Sequence, residues 1–204
     1  MCIRDSVTPD PVKFPSFDES LRTAMKRETE LFFGAVMKED RSIFELIDSD
    51  FTYLNDRLAS HYGIDGVSGS AFQRVSMDKG SGRGGILTHA SILTITSNPT
   101  RTSPVNRGKW ILEEILGTPP PPPPPDVEEL EENQEAITSG SLRERLEKHR
   151  AKAECATCHS KMDPLGFALE NFDGIGAWRD LDGNFPIDPT GELPTGEAIN
   201  GPAG

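Results

Sequence analysis

The 204-residue chain has room for one ordinary domain or two small ones, and with 35% hydrophobic and 26% charged residues it can bury only a modest core. Its net charge of −12 argues against nucleic acid as a partner, because phosphates need Lys/Arg neutralisation. No apolar run approaches the roughly 20 residues of a transmembrane helix, so none of this stretch is expected to cross a membrane.

The opening Met1-Cys2-Ile3-Arg4-Asp5-Ser6 reads as translated sequencing adapter and is set aside, Cys2 with it. Residues 7–16 are extended and punctuated by proline. Ser16-Phe17-Asp18-Glu19 fits a capping box, in which the Ser oxygen takes an orphan N–H and Glu19 reaches back. Leu21, Met25, Leu31, Phe32, Val36 and Met37 then recur near helical spacing, which predicts an amphipathic helix to about Lys38. Asp40 or Ser42 caps a short second helix over 43–47. Asp50 is expected to cap a third, with Tyr53, Leu54, Leu58 and Tyr62 inward and Gly63 as its terminator.

Residues 63–85 are rich in Gly and Ser and read as loop, with a short strand-like Phe72-Gln73-Arg74-Val75 inside. The apolar stretch from Ile86 to Ile95 fits a buried strand or a buried helix by periodicity, and its Gly-Gly entry and Asn98-Pro99 exit favour helix. Ser103 caps the next helix with Pro104 at its first position, and Gly117 ends it. Seven consecutive prolines, Pro119 to Pro125, cannot join helix or sheet interior and predict a polyproline rod. The acidic tract from Asp126 to Glu135 extends it, so residues 117–140 are expected to be a semi-rigid, exposed spacer. Ser141-x-x-Glu144 makes a second capping box, opening a helix that carries Leu142 and Leu146 on one face. Beyond Phe172 the chain is turn-rich. It stops in Asn200-Gly201-Pro202-Ala203-Gly204, so both ends read as cut and the chain as a fragment of a longer protein.

The chemistry is concentrated in Cys155-Ala156-Thr157-Cys158-His159. Two thiols three apart on a helical turn can add to the two vinyl groups of a haem, and the adjacent imidazole then serves as proximal iron ligand. A thioredoxin-like dithiol would need a βαβ context that is missing here. A zinc site would need a second Cys/His pair, which the remaining Cys2, His61, His89 and His149 do not supply. The expectation is therefore one covalent haem c on Cys155, Cys158 and His159.

The distal iron ligand is left open. Met162 follows His159 by three residues and falls on the same, proximal side of a continuing helix. His61, Met77, His89 and His149 read as ordinary core or surface residues, and no Met or His follows Met162. The cations Arg83, Arg101, Arg107 and Lys109 can pair with haem propionates or serve in caps and salt bridges, and the sequence does not choose. Asp180-Leu181-Asp182-Gly183-Asn184 begins like a calcium loop, but Gly191 stands where the twelfth-position Glu belongs, so a tight turn is the better reading.

Arg83-Gly84-Gly85-Ile86-Leu87-Thr88, the stretch from Arg101 to Trp110, Gly117-Thr118 before the prolines, and the run from Cys155 to Asp173 together resemble the multidomain cytochrome-c-like proteins of planctomycetes. The modules of those proteins are catalogued as domains of unknown function. The likeness implies haem c at Cys155, Cys158 and His159, and export from the cytoplasm to the periplasm or cell surface. It places the end of one helical module at 7–76, a second module at 77–179 with the spacer and haem site, and the start of a third at 180–204. Redox partner proteins or other haem domains of the full-length chain are its implied partners.

The expected fold is mainly α: small helical blocks, a polyproline linker, a cytochrome-c-like attachment helix and an irregular C-terminal segment. Three functions are carried forward. They are an electron-transfer module, a peroxidase- or oxidase-type haem enzyme with an open distal position, and a structural or binding module.

Overall fold

A computed structural model of the protein describes residues 7–122, 140–149 and 153–204. These residues are mainly helical, with short antiparallel strand pairs, and they divide into two compact units. The first comprises the chain up to Thr102 together with Phe172–Trp178; the second comprises Ser103–Asn171 and Arg179–Pro202.

In the first unit, α1 (Glu19–Lys38) presents Leu21, Met25, Phe32 and Val36 inward as the spacing predicts, whereas Met37 is exposed. Fully burying each such side chain is worth roughly 1.5–3 kcal/mol. The helix is capped not by Ser16 but by Asp18, whose Oδ1 accepts from the Leu21 N–H at 2.7 Å. Asp caps as well as Ser, and here it stands directly before the first helical turn.

Asp50 caps no helix. Phe51–Leu54, aromatic and β-branched enough to favour a pleated surface, is strand β1. It pairs antiparallel with β2 (Gln73–Ser76), Phe51 opposite Ser76. The third helix, α2 (Asp56–Tyr62), begins one turn later under an Asn55 cap, and Gly63 ends it at φ +68°. Ser42 caps the short 3₁₀ turn Ile43–Leu46. The apolar stretch after Gly85 is helical as expected but breaks at His89, into a 3₁₀ turn Ile86–Thr88 and α3 (Ala90–Ile95). Leu21, Met25, Leu54, Leu58, Tyr62, Ala90 and Ile175 form one core cluster; Phe32, Val36 and Phe51 form another.

The second unit opens with α4 (Pro104–Trp110), with Ser103 as cap and Pro104 in its first turn, and the helix widens into a π turn over Ile111–Ile115. Gly117 follows at φ +61°. Pro119 to Pro122 form no regular element, and residues 123–139 of the expected spacer lie outside the described residues. In α5 (Leu142–His149) the capping box is reciprocal: the Glu144 N–H donates to Ser141 Oγ at 3.2 Å, and the Ser141 N–H donates to Glu144 Oε2 at 2.8 Å. Leu142 and Leu146 pack with Phe167 and Val105. Then comes α6 (Ala153–Phe167). The C-terminal part holds two small hairpins, β3 (Leu181–Asp182) with β4 (Phe185–Pro186) and β5 (Thr190–Glu192) with β6 (Ala198–Asn200).

Candidate functional site

Cys155, Cys158 and His159 all fall within α6, Cys155 one turn before Cys158. Cys158 is a free thiol and half-buried. The His159 side chain is 19% exposed, and its Nδ1 lies 2.9 Å from Oδ1 of Asp163, one turn further along. Asp163 is fully buried. An Nδ1–H donated to this carboxylate leaves Nε2 as the ring nitrogen with a free lone pair. Asp163 is the partner of His159 that sequence reasoning missed; its signal was an acid at i+4 from the histidine, where helical residues meet.

The C-terminal half of α6 is fixed by a close crossing with α4. A Cβ built on Gly108 would stand 1.9 Å from the Met162 carbonyl oxygen, and one on Gly166 would stand 1.9 Å from that of Pro104. The pairs run in opposite senses along the two helices, so α4 and α6 cross backbone to backbone and antiparallel. Met162 is buried beside this crossing, and its neighbour Asp163 is held between the two contact points. Pro164 continues the helix while removing one N–H donor, so the Ser160 carbonyl has no backbone N–H four residues on to accept from.

A cavity of about 570 Å³ opens on the adjoining face of α6, lined by Ala156, Ser160, Pro164 and Phe167 with Arg143 and Glu192. That volume lies within the ~300–1,000 Å³ usual for small-molecule and cofactor pockets. Arg143 is pinned there: its guanidinium lies 4.0 Å over the Phe167 ring, donates to the Asp188 carbonyl at 2.9 Å and also reaches the Thr190 carbonyl.

The remaining sequence candidates are engaged elsewhere. Arg107 is 1% exposed and donates to the Leu169 carbonyl at 2.7 Å. Arg101 donates to the Thr102 carbonyl, and Lys109 pairs with Glu113. Asp182 accepts from Arg179 at 2.7 Å, and the hairpin turn at Gly183-Asn184 is tight, with Gly183 at φ +61°. Among the described residues no three His, Cys, Asp or Glu side chains converge as a metal-ion site. The side chain of His149 lies outside the described set.

In the first unit, His61 Nε2 lies 2.8 Å from the Ile175 carbonyl oxygen. Met77 is buried, and His89 belongs to a buried polar cluster around Glu28. Glu28 sits inside the apolar stripe of α1, three residues after Met25 and four before Phe32. It accepts from Tyr62 Oη at 2.5 Å and from Thr52 Oγ1 at 2.7 Å. His89 Nε2 is 3.9 Å from Glu28, while its Nδ1 meets Thr29 at 3.0 Å. Burial pushes Glu28 up to about 7 and, with Arg83 adding positive charge nearby, pushes His89 down to about 3. Arg83 lies 3.6 Å over the Tyr62 ring and donates to the Thr88 and Gly176 carbonyls at 2.8 and 2.6 Å.

Two stretches of the chain have counterparts in known families. Residues 83–182 match the family model described as PSCyt3, protein of unknown function (DUF1588). Residues 3–64 match the one described as PSD4, protein of unknown function (DUF1592). Both are planctomycete cytochrome-c-like domain families of unknown function. No curated protein and no solved structure matches the chain. The PSCyt3 segment contains Arg83, α4, α5 and the whole of α6, while the PSD4 segment contains α1 and α2. The two segments share the core of the first unit, because Arg83 and His89 of one meet Tyr62 and Thr29 of the other.

Proposed function

We propose that Cys155, Cys158 and His159 hold one covalent haem c, and that this chain is an electron-transfer module of a larger extracytoplasmic redox protein. The observation that carries the reading is the placement of Cys-x-x-Cys-His on one helix, with the His159 Nδ1 2.9 Å from Asp163; an Nδ1–H donated there would leave Nε2 for iron. A bound haem would supply a one-electron Fe(III)/Fe(II) couple. Cys155 and Cys158 would anchor it through thioethers, and the α4–α6 crossing would hold His159 to one rigid helix. Its partners would be a redox protein or further haem domains of the full-length chain. No described helix is long and apolar enough to cross a membrane. Expression in the periplasm with haem-attachment machinery, followed by a haem-stained denaturing gel, tests the reading.

A second function draws support from Met162. Its backbone is taken up in the crossing with Gly108, three residues beyond His159 on the same helix, so it is poorly placed as a distal ligand. An iron left open on that side would suit peroxidase- or oxidase-type chemistry. Binding of cyanide or carbon monoxide by the loaded protein separates this enzyme from the electron-transfer module, which should resist both.

A further inference from the structure

We propose that Asp163 is the positioning residue of the His159 ligand, holding its Nδ1–H so that the imidazole is a stronger iron donor and the haem couple lies toward the ferric side. The inference rests on haem c at Cys155, Cys158 and His159.

A histidine that ligates a metal donates its other ring N–H to a carbonyl, a water or a carboxylate, and the choice matters. A carbonyl or water offers a partial charge. Here the partner is a carboxylate, 2.9 Å from Nδ1 and with no exposed surface. A charge-assisted hydrogen bond of this kind is roughly twice as strong as a neutral one. Burial also keeps water from screening it. Electron density moved onto the ring favours the more positive metal state, so Fe(III) gains more than Fe(II).

The geometry is built to persist. His159 and Asp163 stand one turn apart on α6, so their separation is set by the helix rather than by a loop. Met162 and Gly166, on either side of Asp163, are points at which the α4 and α6 backbones press on each other. Ligand orientation is most reliable when a supporting side chain is itself locked in this way. The same bond selects the tautomer with the proton on Nδ1 even before any haem is attached.

The test compares the parent with Asp163→Asn and Asp163→Glu, each matured with haem in the periplasm and titrated optically for its midpoint potential. Asn keeps the size and an acceptor oxygen but not the charge. Asp163→Asn should take up haem like the parent yet shift the Fe(II)/Fe(III) ratio at fixed ambient potential about tenfold toward Fe(II), about 59 mV for one electron. Asp163→Glu should return most of that shift. A loaded Asp163→Asn with the parent's potential overturns the role of Asp163 and leaves the haem reading intact. A parent that takes no covalent haem overturns both. Should Asp163→Asn fail to fold, nitrogen-15 NMR of the unloaded parent at alkaline pH decides. The proton of neutral His159 on Nδ1 supports the role, and the proton on Nε2 overturns it.

Discussion

Gly108 lies so close to Met162 that a Cβ on the glycine would come within 1.9 Å of the methionine's carbonyl oxygen. Both residues are in helices, so the obstacle is backbone and cannot rotate away. Two effects compete at this position. Helix propensity favours Ala over Gly by about 1 kcal/mol, whereas forcing helices apart costs typically 1–3 kcal/mol and sometimes more. The clash should win. Gly108→Ala should destabilise the protein by about 2 kcal/mol or more, as should Gly166→Ala. Gly34→Ala is the control: it lies in α1 with nothing within 4 Å of the added carbon. It should stabilise by about 0.5–1 kcal/mol. Denaturant midpoints of the three variants check the contrast.

Tyr62 serves both matched segments at once. Its hydroxyl donates to Glu28 and accepts from the Ala90 N–H at 2.9 Å, the first residue of α3 and one of that helix's orphan donors. Tyr62→Phe keeps the ring under Arg83 but strands both partners in the core. A cost of about 1–3 kcal/mol is expected, larger than a single exposed hydrogen bond would give. Equilibrium unfolding in urea measures it.

Glu28 and His89 predict opposing pH dependences. Glu28 is raised in the fold, to about 7 from 4.5, so its contribution is full below pH 4.5 and lost as pH rises through about 7. His89 is depressed, to about 3 from 6.5, so its contribution is full above pH 6.5 and lost as pH falls through about 3. Between pH 4.5 and 6.5 the two slopes oppose each other, and stability should be nearly flat. Glu28→Gln cannot ionise; it keeps one acceptor oxygen, for Tyr62, and turns an NH2 toward Thr52, whose hydroxyl can accept instead. Relative to the parent it should gain stability between pH 5 and pH 8, by an amount on the order of 3 kcal/mol. A difference that stays constant across that range would contradict the assignment.

The amphipathic stripe of α1 and the capping box at Ser141 were legible because each is a local pattern whose partners lie within one or two turns. Phe51–Leu54 was not. Four residues are too few for periodicity to declare a strand, Asp50 offered a plausible helix cap, and the pairing strand begins only at Gln73. The motif Cys155-x-x-Cys158-His159 is equally local, five consecutive residues, and carries the haem proposal by itself. The contact of Asp163 with His159 required knowing that the helix continues through Pro164, where a proline would more often mark its end. Arg107 stands in sequence as a propionate partner or a capping and salt-bridge cation, and only the packing reveals it as buried and bonded to the Leu169 carbonyl. Glu28 is the same lesson in reverse: a charge within an apolar stripe signals a buried polar cluster, but its partners Tyr62, Thr52 and His89 come from three other parts of the chain.

Met162 is buried at a helix crossing and should behave as a packing residue. Met162→Leu conserves volume and should cost less than about 1.5 kcal/mol. In the haem-loaded protein the visible and near-infrared spectra of the iron should be unchanged. Loss of a methionine–iron charge-transfer band in that variant would show that Met162 reaches the metal after all.

Covalent haem at Cys155 and Cys158, with His159 on the iron, is read out by attachment itself. The chain should be secreted to the periplasm of a host carrying cytochrome c maturation proteins, then resolved on a denaturing gel stained for haem. The parent should carry one haem that survives denaturation. The double variant Cys155→Ala/Cys158→Ala should carry none, and His159→Ala should lose or strongly reduce it. A parent band that is present as protein but silent for haem would mean that Cys155, Cys158 and His159 hold no covalent haem.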